Sequence, residues 1–379
     1  MNILFLTHFE GLYGSTRSFI SLLQGLSLFD INPIVIVPRE GGLTDVLKSL
    51  HIPYIITPVI WWMTEKPVTL KSRIFFLRDL CKSIITTRKL INGKKIDVVY
   101  TNTNVTPAGR FVAILEGIPH IWHIRAFGDL DFSLNYILPR KLSLRIVRGS
   151  EAIICHAKIM NKYFFAPGTK RVFQIYNGVA TRNHFDERLA KRKEEQKHSN
   201  FVFCMLSTIT PNKGQETAIK AMAELFKKGL TAKLVIAGNG RQEYLDHLHE
   251  FVRYLDIENQ VEFPGLVKNP FPIFFQSDCA LICSENEAFS RVGLEAMSTA
   301  LPLIGKNSGG NPEIIVDGET GFLYNSFDEL VEAMLKLVQN PALGQKMGLA
   351  GWRRARELFN IEDYAANVYR VIQTVVEQR

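Results

Sequence analysis

The sequence is poor in cysteine, and the few it has suit neither crosslinking nor metal binding. Cys81, Cys155, Cys204, Cys279 and Cys283 make an odd total of five with no C-x-x-C pair. A disulfide framework or a zinc site is therefore not expected, and a reducing cytosol suits them. Long apolar runs are also missing. No stretch approaches the ~20 residues needed to span a bilayer, so any membrane contact is expected to be peripheral. The start, MNILFLTHFE, is apolar but lacks a positively charged segment and a cleavage site, and so reads as a first strand rather than a signal peptide. Short-period repeats are absent. Gly238-Asn239-Gly240 lacks the third glycine and the acidic residue of a dinucleotide fingerprint, which leaves a turn as its default reading.

Hydrophobic residues make up 46% and charged residues 22% of the chain, which places it among globular proteins. Its 379 residues are too many for one ordinary core and fit two domains of roughly 150–200 residues each. The charge is uneven: residues 1–180 hold 22 Lys and Arg against 11 Asp and Glu, and the remainder 23 against 26. A basic first half is compatible with nucleic acid, anionic lipid or a phosphorylated substrate.

Short apolar runs recur at Ile3–Thr7, Pro33–Val37, Tyr54–Thr57, Asp97–Tyr100, His120–Ile124, Ala152–Cys155 and Val172–Tyr176. Most are continuous rather than alternating, as parallel strands buried on both faces require. Helical patterns separate several of them, such as Phe19, Leu22, Leu23 and Leu26 on one face. The rhythm breaks at the charged stretch TRNHFDERLAKRKEEQKHSN, and restarts at Phe201–Leu206, Lys233–Ala237, Val261–Phe263, Ala280–Cys283, Pro302–Ile304 and Gly321–Tyr324. The expected fold is α/β: two Rossmann-like, doubly wound domains facing a cleft. The expected boundaries are 1–180, a linker over 181–200, a second domain over 201–358 and a tail over 359–379. The chain from Pro341 onward reads as helical, with Tyr364, Val368, Val371 and Val375 on one stripe.

The densest polar cluster is Ser284–Leu323. Glu287 follows a predicted strand, and seven residues separate it from Glu295, which falls inside a helix predicted from about Ser290. The start of that helix offers free N–H groups and partial positive charge, a place for phosphate. Two carboxylates beside it suit hydrogen bonds to sugar hydroxyls. Read as ordinary structure, Glu287 is a helix-start charge and Glu295 part of a surface face.

This segment resembles the E-x7-E signature of the retaining, family-four glycosyltransferases (glycosyl transferases group 1), which have the glycosyltransferase B fold. The matching residues are Glu287, Phe289, Glu295, Ala296, Met297, Pro302, Gly309, Gly310, Glu313, Ile314, Ile315, Asp317, Gly318, Thr320, Gly321 and Leu323. Ala288 and Ser290 replace two usual glycines beside Phe289. TPNKGQETAIKAM resembles the family's K-G-x-x-x-x-I segment, and Thr208 stands where an arginine is usual, with Arg291 as a candidate replacement.

The resemblance implies a nucleotide-diphosphate sugar as co-substrate, UDP- or GDP-linked, with no metal and no other cofactor. It makes Glu287, Lys213 and His123 the catalytic candidates. Glu295, Phe289, Ser290, Arg291, Gly309, Gly310, Thr208, Val267, Gly14 and Ser15 become donor-binding candidates, and Asn102, Asn104 and Arg125 acceptor-binding ones. It also implies that the tail helix crosses back to the first domain. Without the resemblance, Lys213 is a turn residue beside a glycine, His123 a core or rim histidine, and Glu10–Phe19 a flexible connection.

Asp129-Leu130-Asp131 is a D-x-D, but it falls in a predicted loop, and the two-domain rhythm favours a metal-independent fold. Trp61–Lys95 carries nine Lys and Arg and two acids, with Ile74, Phe75, Leu77 and Leu80 among Lys71, Arg73, Arg78 and Lys82. Pro139–Arg148 adds four more cations to this half. That mixture fits either an anionic membrane surface or an ordinary helix covering the sheet. No nucleic-acid recognition fold accompanies it. The expected function is retaining sugar transfer to a glycan or polyprenyl-linked acceptor, in capsule or O-antigen assembly, at the cytoplasmic face of the membrane. An epimerase or phosphorylase on the same fold, or a non-catalytic nucleotide-sugar-binding protein, is the alternative.

Overall fold

The computed structural model describes residues 1–195 and 200–378. Residues 196–199, from the expected linker, and Arg379, from the expected tail, lie outside the described residues. The chain divides into two units, Met1–Gly178 with Ile361–Arg379, and Val179–Asn360.

The first unit holds strands β1 (Asn2–Leu6), β2 (Asn32–Val37), β3 (Tyr54–Ile56), β4 (Met63–Thr64), β5 (Val98–Thr101), β6 (His120–Ile124), β7 (Asn135–Tyr136), β8 (Ala152–Cys155) and β9 (Val172–Gln174). Seven of them form one sheet in the order β3-β2-β1-β5-β6-β8-β9, with every pairing parallel. The second unit holds β10 (Phe201–Leu206), β11 (Ala232–Ala237), β12 (Val261–Gly265), β13 (Cys279–Ile282), β14 (Leu303–Lys306) and β15 (Gly321–Tyr324). They form a parallel sheet in the order β12-β11-β10-β13-β14-β15. Every residue of β5, β6, β8 and β13 is buried, which is why these strands read as unbroken apolar runs. The fold is α/β with two Rossmann-like halves, as expected.

The two-residue strands β4 and β7 pair antiparallel, outside both large sheets. They are too short for periodicity to reveal.

The tail is two helices. Pro341–Leu358 belongs to the second unit, and Ile361–Glu377 to the first. The latter buries Tyr364, Val368, Val371 and Val375 against Phe5, Phe19 and Leu22 of the first core. It lies so close to the helix Gly14–Leu26 that a methyl group on Gly25 would meet the Ala365 Cβ at 2.5 Å.

The stretch expected as a linker contains a helix, Arg182–Glu195, within the second unit. Only Phe185 and Arg192 are buried in it, and the Arg192 guanidinium donates to the Phe274 and Ser277 carbonyls, each at 2.9 Å. An arginine thus replaces the apolar contacts that periodicity would have registered. No helix among the described residues is long and apolar enough to cross a membrane.

Candidate active site

In the second unit, β10 lies between β11 and β13, so the order of strand addition reverses there. Loops leaving the carboxyl ends of strands at such a reversal diverge and leave a crevice, the usual ligand position in an open α/β sheet. The loop after β10 ends in a single 3-10 turn, Pro211–Lys213, before the helix Gln215–Lys227. Gly214 has a φ of +79°, and a Cβ there would lie 2.6 Å from the Cys283 carbonyl oxygen beyond β13. Glycine therefore brings the two loops together. Across this junction the Lys213 ammonium donates to Glu287 Oε2 at 2.6 Å, the two side chains being 19% and 21% exposed.

The Glu287 loop is fixed from behind by the turn after β14. The Gly310 N–H donates to the Glu287 carbonyl at 2.8 Å. A side chain at Gly309, whose φ is +57°, would collide with that same carbonyl oxygen, and one at Gly310 with the Ala288 carbonyl oxygen. Ser290 then caps the short helix Arg291–Met297, its Oγ accepting from the Gly293 N–H at 3.1 Å. One of the amides expected to face phosphate is thus already bonded. Arg291 Nε donates to Glu295 Oε1 at 2.8 Å, and the Glu295 side chain is 2% exposed. Glu295 is a buried partner of an arginine, not part of a surface face. The Phe289 ring packs edge-on against Phe359, 5.7 Å between centroids.

Three neighbouring loops complete this edge of the sheet. The Ile209 N–H donates to the Asn239 carbonyl at 2.7 Å, and the Gly238 N–H to the Gly265 carbonyl at 2.9 Å. The G-x-G turn therefore braces the loop carrying exposed Thr208, and sits beside the half-buried Val267 segment. Gln215, which the sequence did not single out, is fully buried and donates from Nε2 to Ser207 Oγ at 3.0 Å and to the Thr208 carbonyl at 3.1 Å. It holds the backbone where an arginine was expected.

In the first unit the reversal lies between β1 and β5. Gly14 and Ser15 open the helix Gly14–Leu26; its N-cap, Tyr13, makes no side-chain bond, and no atom comes within 4 Å of a Cβ placed at Gly14. The acceptor candidates are placed differently from expectation. Arg125 is buried, donating to Asn102 Oδ1 at 2.8 Å, Asn177 Oδ1 at 2.5 Å and the Tyr364 hydroxyl at 2.7 Å. Asn104 is buried too, donating from Nδ2 to the Phe127 carbonyl at 3.3 Å. Arg125 thus ties the first unit to its own tail helix. Each of the three acceptor candidates has a polar atom bonded to a partner inside the first unit.

His123 is fully buried on β6, with Nδ1 2.5 Å from the Tyr100 hydroxyl and its ring against Tyr364. Burial, then the Arg125 charge and His156, hold it well below the ordinary histidine range, so it is neutral. Burial likewise raises the pKa of the Tyr100 hydroxyl, so both members of this pair are uncharged. The His123 Nε2 is buried with no partner among the described residues.

The D-x-D carboxylates lie on a short helix, Asp129–Phe132, not in a loop. Asp131 accepts from the Phe127 and Gly128 N–H groups at 3.0 and 2.6 Å, and Asp129 Oδ2 accepts from the Tyr163 hydroxyl at 2.7 Å.

Residues 186–354 match the family model described as glycosyl transferases group 1. The chain resembles that family through these residues, which lie within the second unit. The match covers both the Lys213 and the Glu287 loops. Among relatives, N-acetyl-alpha-D-glucosaminyl L-malate synthase of Bacillus anthracis is 30% identical over 54% of this chain and 53% of its own length. The match therefore spans about half of that relative. UDP-Gal:alpha-D-GlcNAc-diphosphoundecaprenol alpha-1,3-galactosyltransferase of Escherichia coli is 26% identical over 83% of this chain and 81% of its own. The Anabaena Alr3699/HepE structure in complex with UDP superposes with a TM-score of 0.79 at 20% identity, covering 99% of this chain and all of that one. At that identity the likeness shows the fold alone, which is that of the glycosyltransferase B class.

Proposed function

We propose that the chain is a group 1 glycosyltransferase that moves a sugar, with retention, from a nucleoside-diphosphate sugar to a glycan or polyprenyl-linked acceptor in cell-surface polysaccharide assembly. The observation that carries this reading is the Lys213–Glu287 pair at 2.6 Å at the reversal point of the second sheet. The difficult step in such a transfer is departure of the diphosphate, on which negative charge grows. Preorganised cations and amides are most effective there, because they need not reorient during the reaction. Lys213 takes that role, and Arg291 supplies the second charge in place of the arginine missing at Thr208. Glu287 and the Gly309–Gly310 turn orient the sugar, while Glu295 fixes Arg291 and takes the ribose. Retention follows from acceptor attack on the face the leaving group vacates. Charge neutralisation is assigned to side chains and amides, so no metal is invoked.

A lipid-linked acceptor at the cytoplasmic membrane face is supported by the basic first half. It is also supported by the E. coli relative, whose name specifies a diphosphoundecaprenol-linked acceptor. Thermal-shift measurements with UDP-, GDP- and ADP-sugars select the donor, and the anomeric configuration of the product tests retention. Glu287→Ala is expected to abolish transfer without unfolding the chain. Near-normal turnover of that variant, or turnover lost on adding EDTA, contradicts the proposal.

A further inference from the structure

The first unit contains a cavity of about 630 Å³ that the donor chemistry does not use. It lies where the helix Leu70–Ile91 begins, against the segment 134–140 that includes β7. Two arginines line it. Arg73 is anchored through Nε to the Ile137 carbonyl at 3.1 Å. Arg140 lies over the Tyr163 ring at 4.8 Å, with its Nε 3.5 Å from Asp129 Oδ2. The acids on the wall are Asp129, already bonded to Tyr163, and the exposed Glu65. Val68 and Leu138 supply apolar wall. The helix has no acid in its first turn, so its positive end adds to the attraction for an anion.

The same helix presents an apolar stripe to solvent. Leu70, Ile74, Leu77 and Ile85 are 74%, 57%, 49% and 52% exposed, and Cys81 between them is exposed as well. Steps of four, three, four and four residues keep all five on one face, since each residue turns about 100°. Lys71, Arg78, Lys82 and Lys89 form a second exposed line about a quarter-turn away. The buried face adjoins the stripe on its other side, and comprises Phe76, Leu80, Ser83, Ile84, Thr87 and Ile91. An apolar stripe flanked by cations matches a leaflet containing anionic lipid, where the apolar side chains enter the acyl boundary and the cations meet phosphate.

We propose that this face is a lipid-surface site, with the cavity taking the phosphate of a phosphomonoester headgroup between Arg73 and Arg140 while the stripe enters the leaflet. This deepens the membrane reading above, and its test uses no nucleotide sugar, so it succeeds or fails independently of sugar transfer. Flotation is measured on vesicles of phosphatidylcholine alone, and with phosphatidylglycerol or phosphatidic acid added at matched surface charge. The expected order is phosphatidic acid above phosphatidylglycerol above phosphatidylcholine. Arg73→Lys with Arg140→Lys keeps the charge but removes the forked donors; it should retain flotation on phosphatidylglycerol and lose the preference for phosphatidic acid. Ile74→Ser with Leu77→Ser should float several-fold less on both, yet bind soluble dihexanoyl phosphatidic acid like the unaltered protein. Equal flotation on all three vesicles overturns the proposal, as does a preference unchanged in the lysine variant. Inorganic phosphate binding as tightly as the short-chain lipid also overturns it, by identifying a site for free phosphate.

Discussion

Replacing Glu287 by glutamine separates two roles that the resting site combines. In the structure the Lys213 ammonium is neutralised by Glu287 at 2.6 Å, with about a fifth of each side chain exposed. A diphosphate arriving at Lys213 must compete with this carboxylate and also approach its negative charge. A hydrogen bond between charged groups contributes about 1.5–3 kcal/mol net. Glutamine keeps the size and one acceptor oxygen but not the charge, so most of that competition disappears. Since 1.4 kcal/mol is a factor of ten, Glu287→Gln should bind the nucleoside diphosphate about 10- to 100-fold more tightly by calorimetry. The sugar nucleotide should gain less, because glutamine orients the hydroxyls poorly, and turnover should fall by at least about 100-fold. Lys213→Ala should weaken both ligands. Unchanged or weaker diphosphate binding by Glu287→Gln would show that the ion pair is not what the ligand displaces, and would refute the reasoning.

Other outcomes follow from geometry already described. Gly309→Ala forces a methyl group into the Glu287 carbonyl, so donor binding and turnover should fall together while the first unit keeps its stability; unaltered donor affinity refutes this. Ala300 is held at a φ of +57°, a conformation that costs a side-chain-bearing residue about 1–2 kcal/mol. Set against the backbone entropy of glycine, Ala300→Gly should stabilise the second unit by about 0.5–1 kcal/mol in denaturant titration. His120, His123 and His156 are buried neutral, their folded pKa values all depressed by burial, His156 to about 3. The unfolded chain takes up protons at an ordinary histidine pKa, near 6.5, where the folded chain does not. Stability is therefore full above that value and lost as pH falls, by about 1.4 kcal/mol per histidine at one unit below it. Chemical denaturation at pH 7.5 and 5.5 measures the difference, and a flat profile contradicts the burial argument.

The strands were legible because burial on both faces leaves continuous apolar runs, as in β6 and β8. The helix Ile361–Glu377 was legible because Tyr364, Val368, Val371 and Val375 share one face. The glutamate loop stood out through its resemblance to the E-x7-E signature, since spacing alone read Glu287 as a helix-start charge and Glu295 as part of a surface face. The Arg125 clamp was not legible, since Asn177 and Tyr364 lie 52 and 239 residues away, and nothing in local spacing marks such partners. His123 carried no sign of its depth, because a histidine inside an apolar strand reads the same whether it is sealed or open. The helix Arg182–Glu195 was hidden for the opposite reason: its buried arginine is satisfied by backbone carbonyls, so a segment that belongs to the second unit has the composition of a tether.

The Ile361–Glu377 helix has a consequence for the order in which the protein is made. The second unit is one unbroken length of chain, whereas the first needs a segment translated after it. On the ribosome the later-starting half can reach its final form first. Until synthesis passes Val375, the earlier half waits with the flank of Gly14–Leu26 uncovered, and a nascent chain stalled before that point leaves an apolar seam open to chaperones.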